Sequence, residues 1–129
     1  MPHLVLEIPA DLPPFDGQAL LSSLHRLLFG SGHFEAADIK GRILRPEVQR
    51  VGGDCPEDAF VHAELRLLPG RPPEVLARLA GDLATALDLG LPPVPGKRLQ
   101  VTVEVLEIVP ERYAKRWRNC RCASAERVP

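Results

Sequence analysis

The residues best suited to chemistry are a proline beside the first methionine and three cations, Lys40, Arg42 and Arg71. Methionine before a small residue such as Pro2 is the context in which the initiator is normally trimmed, and trimming would leave a secondary amine at the terminus. The pKa of an N-terminal amine lies nearer neutrality than that of lysine, and apolar walls or nearby cations lower it further. Such a group can act as a general base and acid. Alternatively, Pro2 only begins a protected edge strand.

Arg71 ends the stretch LLPGR, directly before a helix that we expect to begin at Pro72 or Pro73. A helix N-terminus presents unpaired N–H groups, and the guanidinium adds a planar fork that matches a carboxylate. We therefore expect Arg71 to bind a carboxylate group of a substrate. The alternative is a solvated arginine in a turn.

Lys40 and Arg42 alternate in the stretch IKGRIL, so they point to the same face of a strand. Two cations on one face are costly to bury without an anionic partner. A dicarboxylate substrate would supply that partner, and the same cations would lower the pKa of the Pro2 amine. The alternative is an exposed strand edge that is protected by charge.

The elements that must position these residues follow from two periodicities. Alternation with a period of two predicts four strands, over residues 3–8, 39–44, 59–68 and 98–108. Leucine stripes at helical spacing predict two amphipathic helices, over residues 18–29 and 72–87. Asp16 is the expected N-cap of the first helix, and Gly30 with Gly32 the expected stop.

This order predicts an α+β, two-layer fold built from two tandem β-α-β units, in halves of about 2–50 and 58–108. The units should form a four-stranded mixed sheet with both helices on one face. The domain is expected to span residues 1–112, and a basic tail residues 113–129. The position in the second half that corresponds to Pro2 is expected near Asp58-Ala59, inside the chain, which leaves one site per chain.

The uncovered face of the sheet should carry a half-polar set of side chains: Phe60, His62 and Glu64 on the third strand, and Gln100, Thr102, Glu104 and Leu106 on the fourth. Because such a face is more often buried between subunits than left bare, we expect a homo-oligomer. The tail to about Trp117 is expected to pack across a neighbouring subunit, with the last ten or so residues disordered.

Composition narrows the class of protein. The chain has 129 residues, of which 45% are hydrophobic and 26% charged, which fits one soluble globular domain. A formal net charge of −1 gives no long-range attraction to nucleic acid or anionic membranes. No membrane span or signal peptide is predicted, because no apolar run approaches ~18 residues and a basic n-region is missing. We therefore expect a cytoplasmic protein without nucleic-acid or membrane partners.

The cysteines and histidines are weaker candidates for a site. Cys55, Cys120 and Cys122 are too few and too oddly spaced for a disulfide framework, and Cys120-x-Cys122 has no second ligand pair for zinc. No metal is therefore expected. His62 is expected to be a packed, hydrogen-bonded residue at an interface and His3 an edge residue. His25 and His33 are expected at the surface.

The stretches PHLVLEI and AFVHAELRLLPGR, together with the late VEVLEI, resemble the 5-carboxymethyl-2-hydroxymuconate isomerase family. This family belongs to the tautomerase superfamily, with 4-oxalocrotonate tautomerase and macrophage migration inhibitory factor. The resemblance covers roughly residues 2–112. It implies a cofactor-independent isomerase that works as a homotrimer, with active sites near subunit boundaries.

The resemblance also implies a reaction and a site. The initiator methionine is removed, and the amine of Pro2 moves a proton within a dienol di- or tricarboxylate from the catabolism of an aromatic compound, homoprotocatechuate. Its 2-hydroxy-diene becomes the 2-oxo-ene form. Arg71 matches the carboxylate-binding arginine. Relatives often have arginine where this chain has Lys40, which keeps the charge but loses the planar fork.

Two other functions stay open on the residues alone. One is a different reaction on the same scaffold, such as decarboxylation, dehalogenation or hydration. The other is a trimeric scaffold or binding protein that kept the fold and lost the activity. Retention of Met1 would remove the free proline amine and exclude every proline-based proposal.

Overall fold

The computed structural model describes residues 1–119. Its strands are β1 (His3–Glu7), β2 (Lys40–Leu44), β3 (Asp58–Leu67) and β4 (Arg98–Glu107), and its helices are α1 (Gly17–Gly30) and α2 (Pro73–Gly90). Short 3-10 helices cover Ala36–Asp38 and Pro110–Arg112. The order of elements confirms the predicted pair of β-α-β units.

The four strands form one mixed sheet in the order β2-β1-β3-β4. Within each unit the two strands are parallel, β1 with β2 and β3 with β4, and the units meet where β1 runs antiparallel to β3. The first residue of β1 therefore lies beside the end of β3, with His3 opposite Arg66. This antiparallel seam brings the start of one half to the end of a strand in the other.

The two halves repeat in detail. The backbone N–H of Lys40, which begins β2, donates to the carbonyl of Pro2 at 3.0 Å, and that of Arg98, which begins β4, donates to the carbonyl of Glu57 at 2.8 Å. The counterpart of Pro2 is therefore Glu57, which directly precedes the expected Asp58-Ala59, because β3 begins one residue earlier than alternation alone indicates. An internal residue such as Glu57 has no free amine, so the expectation about this position is unchanged.

Both helices pack on one face of the sheet. The buried leucines of α1 are Leu20, Leu24 and Leu28, and those of α2 are Leu79, Leu83 and Leu87. They form one core cluster with alternate residues of β1 and β3, which include Leu4, Leu6, Val61, Ala63, Leu65 and Leu67. Both predicted stripes are confirmed, with Leu21, Leu27 and Leu76 partly buried at the rim.

The helix ends follow from local chemistry. Asp16 caps α1, since its side chain accepts a hydrogen bond from the backbone N–H of Ala19 at 3.0 Å. Pro73 occupies the first position of α2, where its missing N–H costs nothing. The α2 helix runs three residues past the predicted end at 87. Its last turn adds Asp88, exposed Leu89 and Gly90, which lie beyond the buried stripe that the prediction follows.

Among residues 1–119, the other face of the sheet carries no helix, as predicted for β3 and β4. Cross-strand register places Lys40, His3 and Arg66 in one row across β2, β1 and β3. The next row holds Arg42, Val5, Glu64 and Glu104. We call this the open face. It is cationic at the β2 edge and becomes acidic toward β4.

The tail as far as Asn119 begins with the 3-10 turn Pro110–Arg112 and then contacts its own chain through Tyr113 and Lys115. The expected packing of this segment across a neighbouring subunit stays a prediction. The expected disorder of the last ten residues falls beyond the described part of the chain, as do Cys120 and Cys122. Cys55 is a free, partly buried thiol. Among residues 1–119, no helix combines the length and apolarity needed to cross a membrane.

Candidate active site

A pocket of about 210 Å³ lies at the edge of the sheet where β1 begins. Its walls are formed by Met1, Pro2 and Arg71, by the segment Gly32, His33, Phe34 and Glu35, and by Asp38. Arg71 reaches this pocket because β3 ends at the edge where β1 starts. The turn between β3 and α2 passes through Gly70 at φ +129°, a left-handed conformation that favours glycine. The antiparallel seam therefore brings Pro2 and Arg71 together.

Arg71 is held in place by three contacts. Its Nη1 donates to the carbonyl of Leu68 at 3.1 Å and its Nη2 to the carbonyl of His33 at 2.9 Å. The guanidinium carbon also lies 4.7 Å from the centre of the Phe34 ring, a cation–π contact. A guanidinium has five N–H donors, so these contacts leave donors for a ligand. The predicted location of Arg71, just before the helix, is confirmed.

Pro2 is fully buried, and its carbonyl accepts the first hydrogen bond from β2. The N-terminal amine is that of Met1 in this structure. Burial lowers its pKa below the usual value, the carboxylate of Asp38 acts in the opposite direction, and the cations Arg71, Lys40 and Lys115 lower it further. A free amine at Pro2 would stand among the same charged groups.

The two strand cations differ in their relation to the pocket. Lys40 lies beside it, where its Nζ donates to the backbone carbonyl of Asp38 at 3.0 Å. Arg42 lies two residues further along β2 on the open face, opposite Val5, and does not line the pocket. The expectation that both cations share one strand face is confirmed by the register. Their role in binding a substrate stays a prediction.

Sequence reasoning missed three residues that line the pocket, His33, Phe34 and Asp38, and a fourth, Lys115, that contacts two lining residues, Met1 and Asp38. His33 is exposed, as expected of a turn residue, but its backbone carbonyl fixes Arg71. Phe34, 8% exposed, supplies the ring beneath the guanidinium. Asp38 supplies a carboxylate to the pocket, and its Oδ1 lies 3.7 Å from the Nζ of Lys115. Lys115 was expected only as part of the basic tail, and nothing in the sequence indicated that the tail returns to Pro2.

A second polar cluster lies on the open face. The Nδ1 of His62 lies 2.7 Å from the Oγ1 of Thr102, and its Nε2 lies 3.2 Å from the Oε1 of Glu104. Glu64 pairs with Arg66 at 3.0 Å. The ligand atoms of His62, Glu64 and Glu104 lie within 4.8 Å of one another. The predicted hydrogen bonding of His62 is confirmed, and its place in an interface stays a prediction.

A duplicated β-α-β sheet with two helices on one face defines a tautomerase-like fold. The chain is similar to a 5-carboxymethyl-2-hydroxymuconate isomerase from Deinococcus radiodurans R1, with 27% identity, a TM-score of 0.75, and coverage of 89% of this chain and 88% of that one. It is similar in fold to a 5-carboxymethyl-2-hydroxymuconate delta-isomerase, with 19% identity and a TM-score of 0.73 over 98% and 91% of the two chains.

The fold is also that of a fused, wild-type 4-OT symmetric trimer, with 24% identity and a TM-score of 0.65 over 82% of this chain and 85% of that one. Among curated protein sequences, none matches this chain significantly. The family model described as 5-carboxymethyl-2-hydroxymuconate isomerase matches residues 2–120. The chain belongs to this family and is an isomerase.

Proposed function

We propose that this isomerase converts an unsaturated 2-hydroxy (dienol) di- or tricarboxylate, such as 5-carboxymethyl-2-hydroxymuconate, into its 2-oxo tautomer. The amine of Pro2, freed by removal of Met1, acts first as base and then as acid. The observation that carries this proposal is that Pro2 and Arg71 line one pocket. The match to the family model, which begins at residue 2, supports it.

The reaction needs only one proton carrier. The neutral proline nitrogen takes the proton of the 2-hydroxyl group, and the electron pair of the broken O–H bond forms the carbonyl. The conjugated double bonds shift by one position, and a carbon of the chain receives a proton from the prolinium to form the new C–H bond. Protons and electrons balance, and the amine returns to its starting state. No cofactor takes part in these steps.

The electrostatics of the pocket favour this role. A general base works best when its pKa lies near the working pH, and burial with nearby cations lowers the pKa of the Met1 amine, which adjoins Pro2. The guanidinium of Arg71 offers a planar fork to one carboxylate of the substrate. Met1 itself lines the pocket, so its removal would enlarge the space beside Pro2.

We further propose a cytoplasmic homotrimer. Support comes from two structural neighbours, both described as fused 4-OT symmetric trimers, and from the open face, on which no helix packs within residues 1–119. In a trimer that buries the open face, Arg42 would lie close to the Pro2 pocket of a neighbouring subunit. The tail to Trp117 is proposed to contribute to the same interface. With a net charge of −1, neither nucleic acid nor a membrane is proposed as a partner.

The test combines a mass measurement with an assay. Intact mass of the purified protein should show loss of Met1, and ultraviolet absorbance should follow the loss of a dienol substrate. Pro2→Ala should lower kcat by about 10²- to 10⁴-fold, the usual contribution of a positioned acid–base group. Pro9→Ala is the matched control, since Pro9 is equally buried but follows the opposite end of β1. Retained Met1, or equal turnover of Pro2→Ala and wild type, would refute the proposal.

A further inference from the structure

We propose that Lys115 is a substrate-binding residue of this site, carried to it by the tail, and that it binds a second carboxylate of the substrate in the space that Met1 occupies. This inference rests on the proposed function and makes it more specific. It requires a substrate with at least two carboxylates, one for Arg71 and one for Lys115. The elements that supply the two cations are independent, since Arg71 precedes α2 and Lys115 follows β4.

The position of Lys115 is the first argument. Its Nζ lies 3.5 Å from the Sδ of Met1 and 3.7 Å from the Oδ1 of Asp38, and both of these residues line the Pro2 pocket. A thioether is a weak, uncharged acceptor and cannot compensate an ammonium group. Loss of Met1 would therefore leave this ammonium facing the enlarged pocket. Its side chain is 28% exposed, which keeps it within reach of a ligand.

The second argument is that the tail is anchored to β1 two residues before Lys115. The hydroxyl of Tyr113 lies 3.0 Å from the Nε2 of His3, and the two rings meet edge to face with centres 5.8 Å apart. Within the tail itself, the Nζ of Lys115 lies 4.8 Å from the centre of the Trp117 ring, a cation–π contact. His3 directly follows Pro2, so the anchor places the tail beside the proposed base.

The third argument is the balance of charge. Arg71, Lys40 and Lys115 all act on the N-terminal amine, and Asp38 is the carboxylate that opposes them. Glu35, the other acid of the pocket, is exposed. Within residues 1–119 neither Arg71 nor Lys40 has a carboxylate within ion-pair distance. A dianionic ligand would therefore supply charge that the pocket itself lacks.

The experiment compares Lys115→Met, which keeps the length and removes the charge, with Lys115→Arg, which keeps the charge. The matched control is Lys97→Met, because Lys97 donates to the carbonyl of Pro56 near the start of β3, at the other end of the sheet. Each variant is assayed on a dienol dicarboxylate and on the dienol monocarboxylate that lacks the second acid. We expect Lys115→Met to raise KM for the dicarboxylate about tenfold and to leave KM for the monocarboxylate unchanged. Lys115→Arg should restore binding, and Lys97→Met should match wild type.

A pH profile gives an independent readout. Removing the charge of Lys115 should raise the pKa of the Pro2 amine, so the acidic limb of kcat/KM should move to higher pH by roughly half a unit, the effect of one charge several ångströms away in a largely aqueous setting. Tyr113→Phe, which removes the hydrogen bond to His3, should give a smaller shift in the same direction.

The outcomes separate this inference from the proposed function. If wild type lacks turnover, or if Pro2→Ala retains it, the proposed function fails. If Pro2→Ala is inactive while Lys115→Met keeps the wild-type KM and pH profile, only the role of Lys115 is overturned. An equal rise in KM on both substrates would also overturn it, because the effect would then be independent of the second carboxylate.

Discussion

The two halves of this chain share a fold but differ at equivalent corners of the sheet, by which we mean the places where β2 and β4 begin. At the corner of the first half, β2 begins with Lys40, whose register neighbour on β1 is His3. At the corner of the second half, β4 begins with Arg98, whose register neighbour on β3 is Asp58. Asp58 accepts two hydrogen bonds from the Arg98 guanidinium, at 2.7 and 3.0 Å, and they raise the pKa of Arg98.

The difference shows how a repeated scaffold can provide one site. In the second half, Arg98 at the start of β4 forms an ion pair with Asp58 on β3. In the first half, the position equivalent to Asp58 is His3, so Lys40 at the start of β2 has no carboxylate opposite it on β1. The antiparallel seam then adds Arg71 from the other half to the same corner. The charges at the corner of the second half are paired with each other, whereas the cations at the corner of the first half are available to bind an anionic ligand.

The largest expected effect tests whether the halves share one core. Leu24 on α1 and Leu83 on α2 are each 1% exposed and belong to the same cluster. Leu24→Ala and Leu83→Ala should each lower the free energy of unfolding by about 2–5 kcal/mol, through lost burial and the cavity left behind. Urea denaturation should show a single transition for each variant. Two separated transitions would mean that the halves unfold independently.

The next effect compares the arginines of the two corners. Arg71→Met should lower kcat/KM by about 10- to 100-fold, the loss expected when a hydrogen-bonded charge pair is removed. Arg98→Met should leave kcat/KM unchanged, because the Arg98 ion pair lies at the other end of the sheet. Steady-state kinetics on a dienol acid measure both. A rise in KM alone for Arg71→Met would indicate ground-state binding, and a fall in kcat would indicate stabilisation of developing charge. Equal losses for the two variants would contradict the comparison.

A smaller effect comes from giving the first half the carboxylate of the second. His3→Asp places an acid beside Lys40, as Asp58 stands beside Arg98. An added negative charge favours the ammonium form of the Pro2 amine and raises its pKa, so the acidic limb of kcat/KM should shift upward by roughly half a unit. His3→Asn is the neutral control, since it also removes the Tyr113 contact. A pH profile shared by both variants would show that the charge has no effect.

Much of the fold could be predicted because it depends on local periodicity. Alternation gave the four strands to within a residue or two, and the leucine stripes gave both helices. The Asp16 cap and the place of Arg71 before α2 also follow from local rules. Pro2 and Arg71, both predicted as site residues from residue type and position, line one pocket although 69 positions separate them in the chain.

The remainder of the site depends on features that residue types do not report. The carbonyl of His33 holds Arg71, and a backbone atom carries no signal in the sequence. Lys115 comes within contact of Met1, which lines the pocket, because the tail folds back onto β1 through the contact between Tyr113 and His3. Arg42 alternates with Lys40 as predicted, but it lies two residues further along the open face and does not line the pocket.

The most direct test of the central claim uses one preparation of the protein before and after trimming. Chain that retains Met1 has the proline nitrogen in a peptide bond, which cannot carry a proton. Treatment with methionine aminopeptidase frees that nitrogen and leaves Arg71, Lys40 and Lys115 in the sequence. We expect turnover of a dienol dicarboxylate to be absent before trimming and to rise in proportion to the loss of Met1 measured by mass spectrometry. Equal turnover before and after complete trimming would contradict the account.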